Sequence, residues 1–151
     1  MTTPDITANG VVDVQAKIDR SGAVTAERRV ATIPAATASG TNLGVVRFQS
    51  GFTPTAIAIV SEDLDTATNV TLDVGVIYDD TVEGTDDPNA FLDGIDIAQD
   101  AGSVIWPIAD GLLTGSSLTT TGNGYIVVQT GGGATTTEGD ITVLVQGTYD
   151  I

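Results

Sequence analysis

Residues 70–78 alternate between apolar and mostly polar or small side chains, and this period of two is the feature that most restricts the fold. Val70, Leu72, Val74, Val76 and Tyr78 occupy one set of alternate positions. Side chains of a β-strand point to opposite faces in turn, so this segment would place one apolar face on a core and the other in water. No window of a dozen residues has the spacing of an amphipathic helix. The pattern predicts an all-β protein.

Similar short segments recur along the chain, separated by turns rich in Gly, Asp, Asn and Thr. With about nine strands spaced about 8–15 residues apart, we predict a single-domain antiparallel β-sandwich, jelly-roll-like, over residues 26–151. Residues 1–25 are predicted to be an extended N-terminal arm or an edge strand. Residues 55–61 are apolar on both faces, which predicts a central strand. The predicted strands are 12–18, 27–33, 43–49, 55–61, 70–78, 91–98, 104–108, 125–130 and 141–149.

The 151 residues include no cysteine and no histidine. The first absence removes disulfides, thiolate metal sites and thiol nucleophiles, and the second removes the commonest general base and transition-metal ligand. The glycine run 131–133 is not followed by the lysine of a phosphate-binding loop. We therefore expect that the protein is not an enzyme.

The charge is strongly negative and unevenly distributed. The formal net charge is −15, and all five basic residues lie in the first 47 positions. Nucleic acids and anionic lipids are bound through Lys and Arg, so a body this acidic predicts no nucleic-acid partner and no membrane partner. An excess of Asp with almost no Lys is also typical of proteins that work in high salt, where repulsion between like charges is screened. We accordingly expect a marine or hypersaline environment.

Two acidic clusters offer the oxygen ligands that Ca²⁺ or Mg²⁺ prefers, although neither matches an EF-hand loop. One is the stretch 62–65, and the other surrounds the turn at 79–87. No cofactor is predicted, but a structural Ca²⁺ or Mg²⁺ ion is one interpretation of these clusters, and a solvated acidic loop is the other. The candidate ligands are Asp79, Asp80, Asp86 and Asp87.

Several motifs resemble a group of small structural proteins of tailed viruses. The strand at 70–78 is followed by an acidic loop, by the segment DPNAFLDGID at 87–96 and by AQDAG at 98–102. The lead TTTEGDIT at 135–142 resembles the C-terminal signature of the same group, and Arg47-Phe48 ahead of the turn at Pro54 is also similar. The resemblance covers residues 43–151. It implies a head-decoration (cement) protein, a trimeric β-sandwich that sits on the major capsid lattice.

The resemblance gives the leading functional hypothesis, a capsid decoration subunit on the outer surface of the virion whose partner is the major capsid protein. The alternatives are another virion β-module (fibre, spike or tail-associated) and a Ca²⁺-dependent carbohydrate-binding or adhesive module. Basic side chains are the natural contacts to an acidic coat surface, while pairing with carboxylates of the same subunit is the competing interpretation. The candidate partner-binding residues are Lys17, Arg20, Arg28, Arg29 and Arg47.

Overall fold

A computed structural model describes residues 24–106 and 119–149 of this protein. This part of the chain forms eight β-strands, and it contains no helix that is long and apolar enough to cross a membrane. The strands are β1 (Val24–Ile33), β2 (Asn42–Phe48), β3 (Phe52–Ser61), β4 (Thr71–Tyr78), β5 (Asp87–Ile95), β6 (Gly102–Trp106), β7 (Gly124–Gly131) and β8 (Gly139–Tyr149).

The strands form two four-stranded antiparallel sheets. Sheet A has the order β1-β8-β3-β6, and sheet B has the order β2-β7-β4-β5. Neighbours within each sheet are mostly distant in sequence: the register pairs Val24 with Thr148 and Asn42 with Gln129, for example. Most of the pairing is therefore long-range, as expected of an all-β domain.

The two sheets enclose one hydrophobic core, which is built from the apolar positions of the alternating strands. Ile57, Ile59 and Val143 come from sheet A, and Leu72 and Ile126 come from sheet B; all five are fully buried. Aromatic rings fill one end of this core. Phe48 stacks on Phe52 with ring centroids 6.4 Å apart and meets Tyr78 edge-on at 5.6 Å, while Tyr149 lies 5.0 Å from Phe52.

The observed strands coincide with eight of the predicted ones, and the prediction that 55–61 is central is confirmed, since β3 lies between β8 and β6. The predicted strand at 12–18 lies outside the described residues. The structure also moves several boundaries. β1, an edge strand of sheet A, includes Val24 and Thr25, which the predicted division had placed in the N-terminal arm or edge strand. β5 spans 87–95 rather than 91–98, because Ile97 and Ala98 are buried in a turn and not in a strand.

Candidate interaction surfaces

Each sheet turns one face toward the core and an outer face away from it, and the two outer faces carry two of the arginines that were predicted to bind a partner. Arg28 lies on the outer face of sheet A, and Arg47 lies on the outer face of sheet B. Arg29 lies on β1 at the border of sheet A. Lys17 and Arg20 lie outside the described residues.

Arg47 is held against sheet B by two groups of its own chain. Its guanidinium donates hydrogen bonds to both carboxylate oxygens of Asp79, with Nη1 2.7 Å from Oδ1. It also lies 4.8 Å from the centre of the Tyr125 ring, close enough for a cation–π interaction. The hydrogen bonds from Arg47 lower the pKa of the Asp79 carboxyl, and the same bonds raise the pKa of Arg47. Arg47 thus forms the intramolecular pair, and its contact with a partner stays a prediction.

Arg29 is also paired within the chain. Its Nη2 atom donates to Glu27 Oε2 at 2.5 Å, and its Nη1 atom donates to the backbone carbonyl of Arg28 at 3.1 Å. Both side chains of the ion pair remain about half exposed. An ion pair of this kind between exposed groups contributes little to stability.

Arg28 differs from both, because within residues 24–106 and 119–149 its guanidinium is in no ion pair. It is surrounded by exposed apolar side chains of the outer face of sheet A. In register, Arg28 pairs with Leu144, which pairs with Ala58 on the next strand. The adjacent row on the same face runs from Val30 through Thr142 to Val60.

The apolar members of this face are unusually open to solvent. Val30 is 50% exposed, Val60 is 51% exposed and Leu144 is 41% exposed. Asp140 lies at the end of this face, and its carboxylate accepts a hydrogen bond of 2.6 Å from Thr32. The exposed Glu62 follows β3 beside it, with its backbone N–H bonded to the Asp140 carbonyl oxygen. The middle of the outer face of sheet A therefore combines exposed apolar side chains with an arginine that is in no ion pair within the described residues.

The outer face of sheet B is covered by the chain itself. Val127 points away from the core, because its neighbours Ile126 and Val128 are core residues, yet it is only 2% exposed. It lies in one row with Gly44 and Gly75. The Tyr125 ring lies against the position that a side chain of Gly44 would take, and the backbone of residues 87–89 occupies the corresponding space at Gly75.

Polar side chains on sheet B are likewise bonded within the chain. The Asp73 carboxylate accepts a hydrogen bond of 2.6 Å from the backbone N–H of Gly94, and Gln129 donates to Asn42 at 2.9 Å. Together with Arg47, which is held by Asp79, these side chains are already engaged by their own chain.

Three of the four acids that were predicted to bind a cation accept hydrogen bonds from the chain itself. Asp79 pairs with Arg47, Asp80 accepts a hydrogen bond from the backbone N–H of Val82, and Asp86 accepts one from the backbone N–H of Tyr78. Asp87 begins β5. No group of three or more acidic side chains is placed to hold a metal ion in the described part of the chain. The proposed structural cation stays a prediction.

A cleft of about 650 Å³ lies between the loops 62–70 and 96–103, and Asp65 lies in its wall. Asp65 is only 2% exposed, and its carboxylate accepts backbone N–H bonds from Ala67, Asn69 and Val70. These bonds, with that from Asn69 the strongest influence, lower the pKa of Asp65. The stretch 62–65 was one of the two acidic clusters, and in the structure the Asp65 carboxylate fixes the loop. In the sequence, the turn-forming residues after it, Thr66 to Asn69, could have indicated that Asp65 fixes a loop.

Comparison with known proteins found no matching family model and no matching curated protein. Similar solved structures were found. A chain from the capsid of Ralstonia phage GP4 is 21% identical with a TM-score of 0.69, and the match covers 88% of each chain. A chain from the capsid asymmetric unit of cyanophage Pam1 is 17% identical with a TM-score of 0.63, covering 93% of this chain and 99% of that one.

A third similar chain comes from the acid-stable capsid of Helicobacter pylori bacteriophage KHP30. It is 13% identical with a TM-score of 0.53, over 81% of this chain and 86% of that one. The fold is shared with chains of phage capsids. At these identities the similarity concerns the fold. Because the matches span most of this chain and most of each matched chain, the similarity extends over the whole domain.

Proposed function

We propose that this protein is a virion structural protein of a tailed virus, a capsid decoration (cement) subunit that binds and stabilises the major capsid lattice. The observation that carries the proposal is the fold similarity to chains from three phage capsid structures, which extends over at least four-fifths of both partners in each case. The matched chains are of similar length to this one, so a small β-domain is what the three structures have in common with it.

The strand pairing supports a jelly roll for this domain. β1 pairs with β8, β2 with β7, β3 with β6 and β4 with β5, all antiparallel. Such nested pairs result when one long hairpin is rolled into two sheets, the arrangement that recurs in viral capsid domains.

The chemistry of the chain supports a role in binding rather than catalysis. A sequence without histidine or cysteine lacks the usual bases, nucleophiles and metal ligands. A decoration protein needs instead a fold that resists the surrounding medium. It also needs a binding surface that is repeated many times over a lattice, where the avidity of many contacts can replace a single tight site.

The proposal places the protein on the outer surface of the capsid as a homotrimer, with the major capsid protein as its partner and no nucleic-acid or membrane contact. Trimers match the threefold positions of a capsid lattice, and symmetric contacts can cover exposed strand edges. The net charge of −15 suits a virus whose host lives in high salt.

Another virion β-module, such as a fibre or spike, is the second candidate. The three similar structures are all of capsids, which favours the head. No observation in the described residues favours a Ca²⁺-dependent carbohydrate-binding module.

Purified particles test the proposed function. A decoration subunit is expected in a fixed, high ratio to the coat protein on isolated heads, whereas a fibre or spike is expected in few copies. Heads stripped of the protein should lose their DNA at a lower temperature or after milder osmotic shock, and adding back the purified protein should restore their resistance. Stripped heads that are as robust as intact ones, or that do not rebind the protein, would contradict the proposal.

A further inference from the structure

We propose that the outer face of sheet A is the surface that docks on the capsid lattice. Its fitting partner is an apolar patch of a coat subunit that presents a carboxylate to Arg28. This inference rests on the proposed function and adds to it the face that makes the contact and the chemistry of its partner.

Exposed apolar surface is concentrated on this face. The described residues expose five large hydrophobic side chains, and three of them, Val30, Val60 and Leu144, belong to two adjacent rows of sheet A. Opposed side chains in such rows are about 5 Å apart across strands, so the three form one continuous patch together with Ala58. Contiguous exposed apolar patches on soluble proteins mark interaction sites, whereas single exposed hydrophobic residues do not.

Charge complementarity identifies the partner. Arg28 lies beside this patch and, unlike Arg29 and Arg47, is in no ion pair within residues 24–106 and 119–149. A guanidinium that becomes buried at an interface needs a hydrogen-bonding anion to compensate for its lost hydration. A partner that covers the patch must therefore bring a carboxylate to Arg28.

The rest of the surface is less suited to an acidic partner. The outer face of sheet B is covered by residues 87–89 and Tyr125, and its arginine already pairs with Asp79. The loops at 62–65 and 79–87 carry clustered carboxylates, which repel another acidic protein. Of these described surfaces, the outer face of sheet A can approach an acidic coat surface with the least repulsion.

A second copy of this chain fits the face less well than a coat subunit does. Face-to-face contact would bring two Arg28 side chains to one interface, neither of them in an ion pair within the described residues. Asp140, at the end of this face, is already engaged by Thr32.

Rebinding to stripped heads tests the inference with two matched pairs of variants. Val60→Asp and Val82→Asp introduce the same charge, one on the patch and one on a loop where the valine is 91% exposed. Arg28→Gln and Arg29→Gln remove the same charge from adjacent residues of β1, of which only Arg28 lies on the patch. All four proteins are first compared by circular dichroism and thermal unfolding, and their mass in solution is measured by light scattering.

We expect Val60→Asp and Arg28→Gln each to weaken rebinding by about tenfold or more, the scale of a lost charged contact at an interface. Val82→Asp and Arg29→Gln should bind within about twofold of the wild type, and all four should keep the wild-type mass. If Val60→Asp does not fold, Arg28→Gln and the milder Val60→Thr decide the question.

Three outcomes would overturn the inference. Wild-type binding by the Val60 and Arg28 variants would show that another face docks, while the proposed function would stand. A lower oligomeric mass in these variants would show that the face joins copies of this chain. Failure of the wild type itself to bind stripped heads would instead remove the proposed function on which the inference rests.

Discussion

The outer faces of the two sheets make an instructive comparison, since they are built from the same alternation of side chains yet differ in how far the chain covers them. Val127 on sheet B and Val60 on sheet A both point away from the core, but Val127 is 2% exposed and Val60 is 51% exposed. Arg47 is bonded within its own chain, whereas Arg28 is in no ion pair within the described residues. The outer face of sheet B is thus covered by residues of its own chain, whereas the outer face of sheet A stays exposed and is the surface that we propose binds a partner.

The difference originates in β5. Its pairing with β4 is irregular: a step of two positions along β4, from Val74 to Val76, corresponds to a step of five positions along β5, from Leu92 back to Asp87. The extra residues bring the backbone of 87–89 against Gly75, where a side chain would collide with it. Bulges of this kind commonly redirect or end a strand. On the strands of sheet A that carry the patch, Val30, Val60 and Leu144 stay exposed.

Replacing Gly75 by Ala is expected to have the largest effect on stability, because it disrupts the contact between sheet B and the backbone of residues 87–89 that covers it. A Cβ atom at this position would lie 2.0 Å from the backbone carbonyl oxygen of Asp87, so the backbone would have to move. We expect a loss of about 3 kcal/mol in the free energy of unfolding, measured with urea. Ala58→Val on the outer face of sheet A enlarges a side chain there and should change it by less than about 0.5 kcal/mol. Equal stability of Gly75→Ala and wild type would refute the close approach.

Truncating the two outward valines compares the faces side chain for side chain. Val127→Ala should cost about 2 kcal/mol, since it removes two buried methyl groups and leaves a cavity. Val60→Ala should cost no more than about 0.5 kcal/mol, because half of that side chain already contacts water. Urea unfolding of both variants measures the difference, and similar losses would mean that the two faces are equally covered.

Acid unfolding extends the comparison to a carboxylate that is satisfied inside the chain. The pKa of Asp65 is lowered in the folded protein, so ionised Asp65 stabilises the fold at neutral pH. This contribution is complete above the unfolded-state pKa of about 3.9 and is lost as the pH falls through the lower folded-state value. We expect Asp65→Asn to lower Tm clearly at pH 7 and the difference from wild type to shrink toward pH 2.

The control for this prediction is Asp100→Asn, which removes the same charge from the rim of the same cleft. Scanning calorimetry at several pH values gives Tm for each protein. A Tm difference for Asp65→Asn that stays constant from pH 7 to pH 2 would contradict the role assigned to the backbone hydrogen bonds.

The arginines should give the smallest changes in stability. Arg47→Gln, Asp79→Asn and the double variant are each expected to lower Tm by no more than about 3 °C, because the pair is exposed to solvent. If the pair is the main interaction of both residues, the double variant should be no less stable than the worse single variant. Arg28→Gln should leave Tm within about 1 °C of wild type. A larger decrease in Tm for Arg28→Gln would mean that Arg28 stabilises the fold and is not free to bind a partner.

Much of the fold could be predicted from local patterns in the sequence. The alternation at 70–78 and 141–149 located β4 and β8 almost to the residue, and the doubly apolar segment 55–61 indicated a central strand. β5 was placed four residues late, because Ile97 and Ala98 enter the core from a turn, and a buried apolar residue looks the same in sequence whether a turn or a strand carries it.

The candidate surface could be predicted only in part. The sequence showed which residues carry positive charge, but it could not distinguish Arg28 from Arg47. The partner of Arg47 is Asp79, 32 residues further along the chain, on a turn whose position depends on how β4 pairs with β7. The apolar patch was likewise hidden, because its rows combine residues from β1, β3 and β8.

The sequence by itself determined that the chain forms β-strands, which side of most strands faces the core, and that neither imidazole nor thiol chemistry is available to it. These properties follow from residue identity and a period of two, and both are local. The tertiary structure decided the strand order, the burial of Val127, the exposure of Val60 and the ion pair of Arg47 with Asp79. Each of these depends on contacts between segments far apart in the chain, and only the folded backbone brings those segments together.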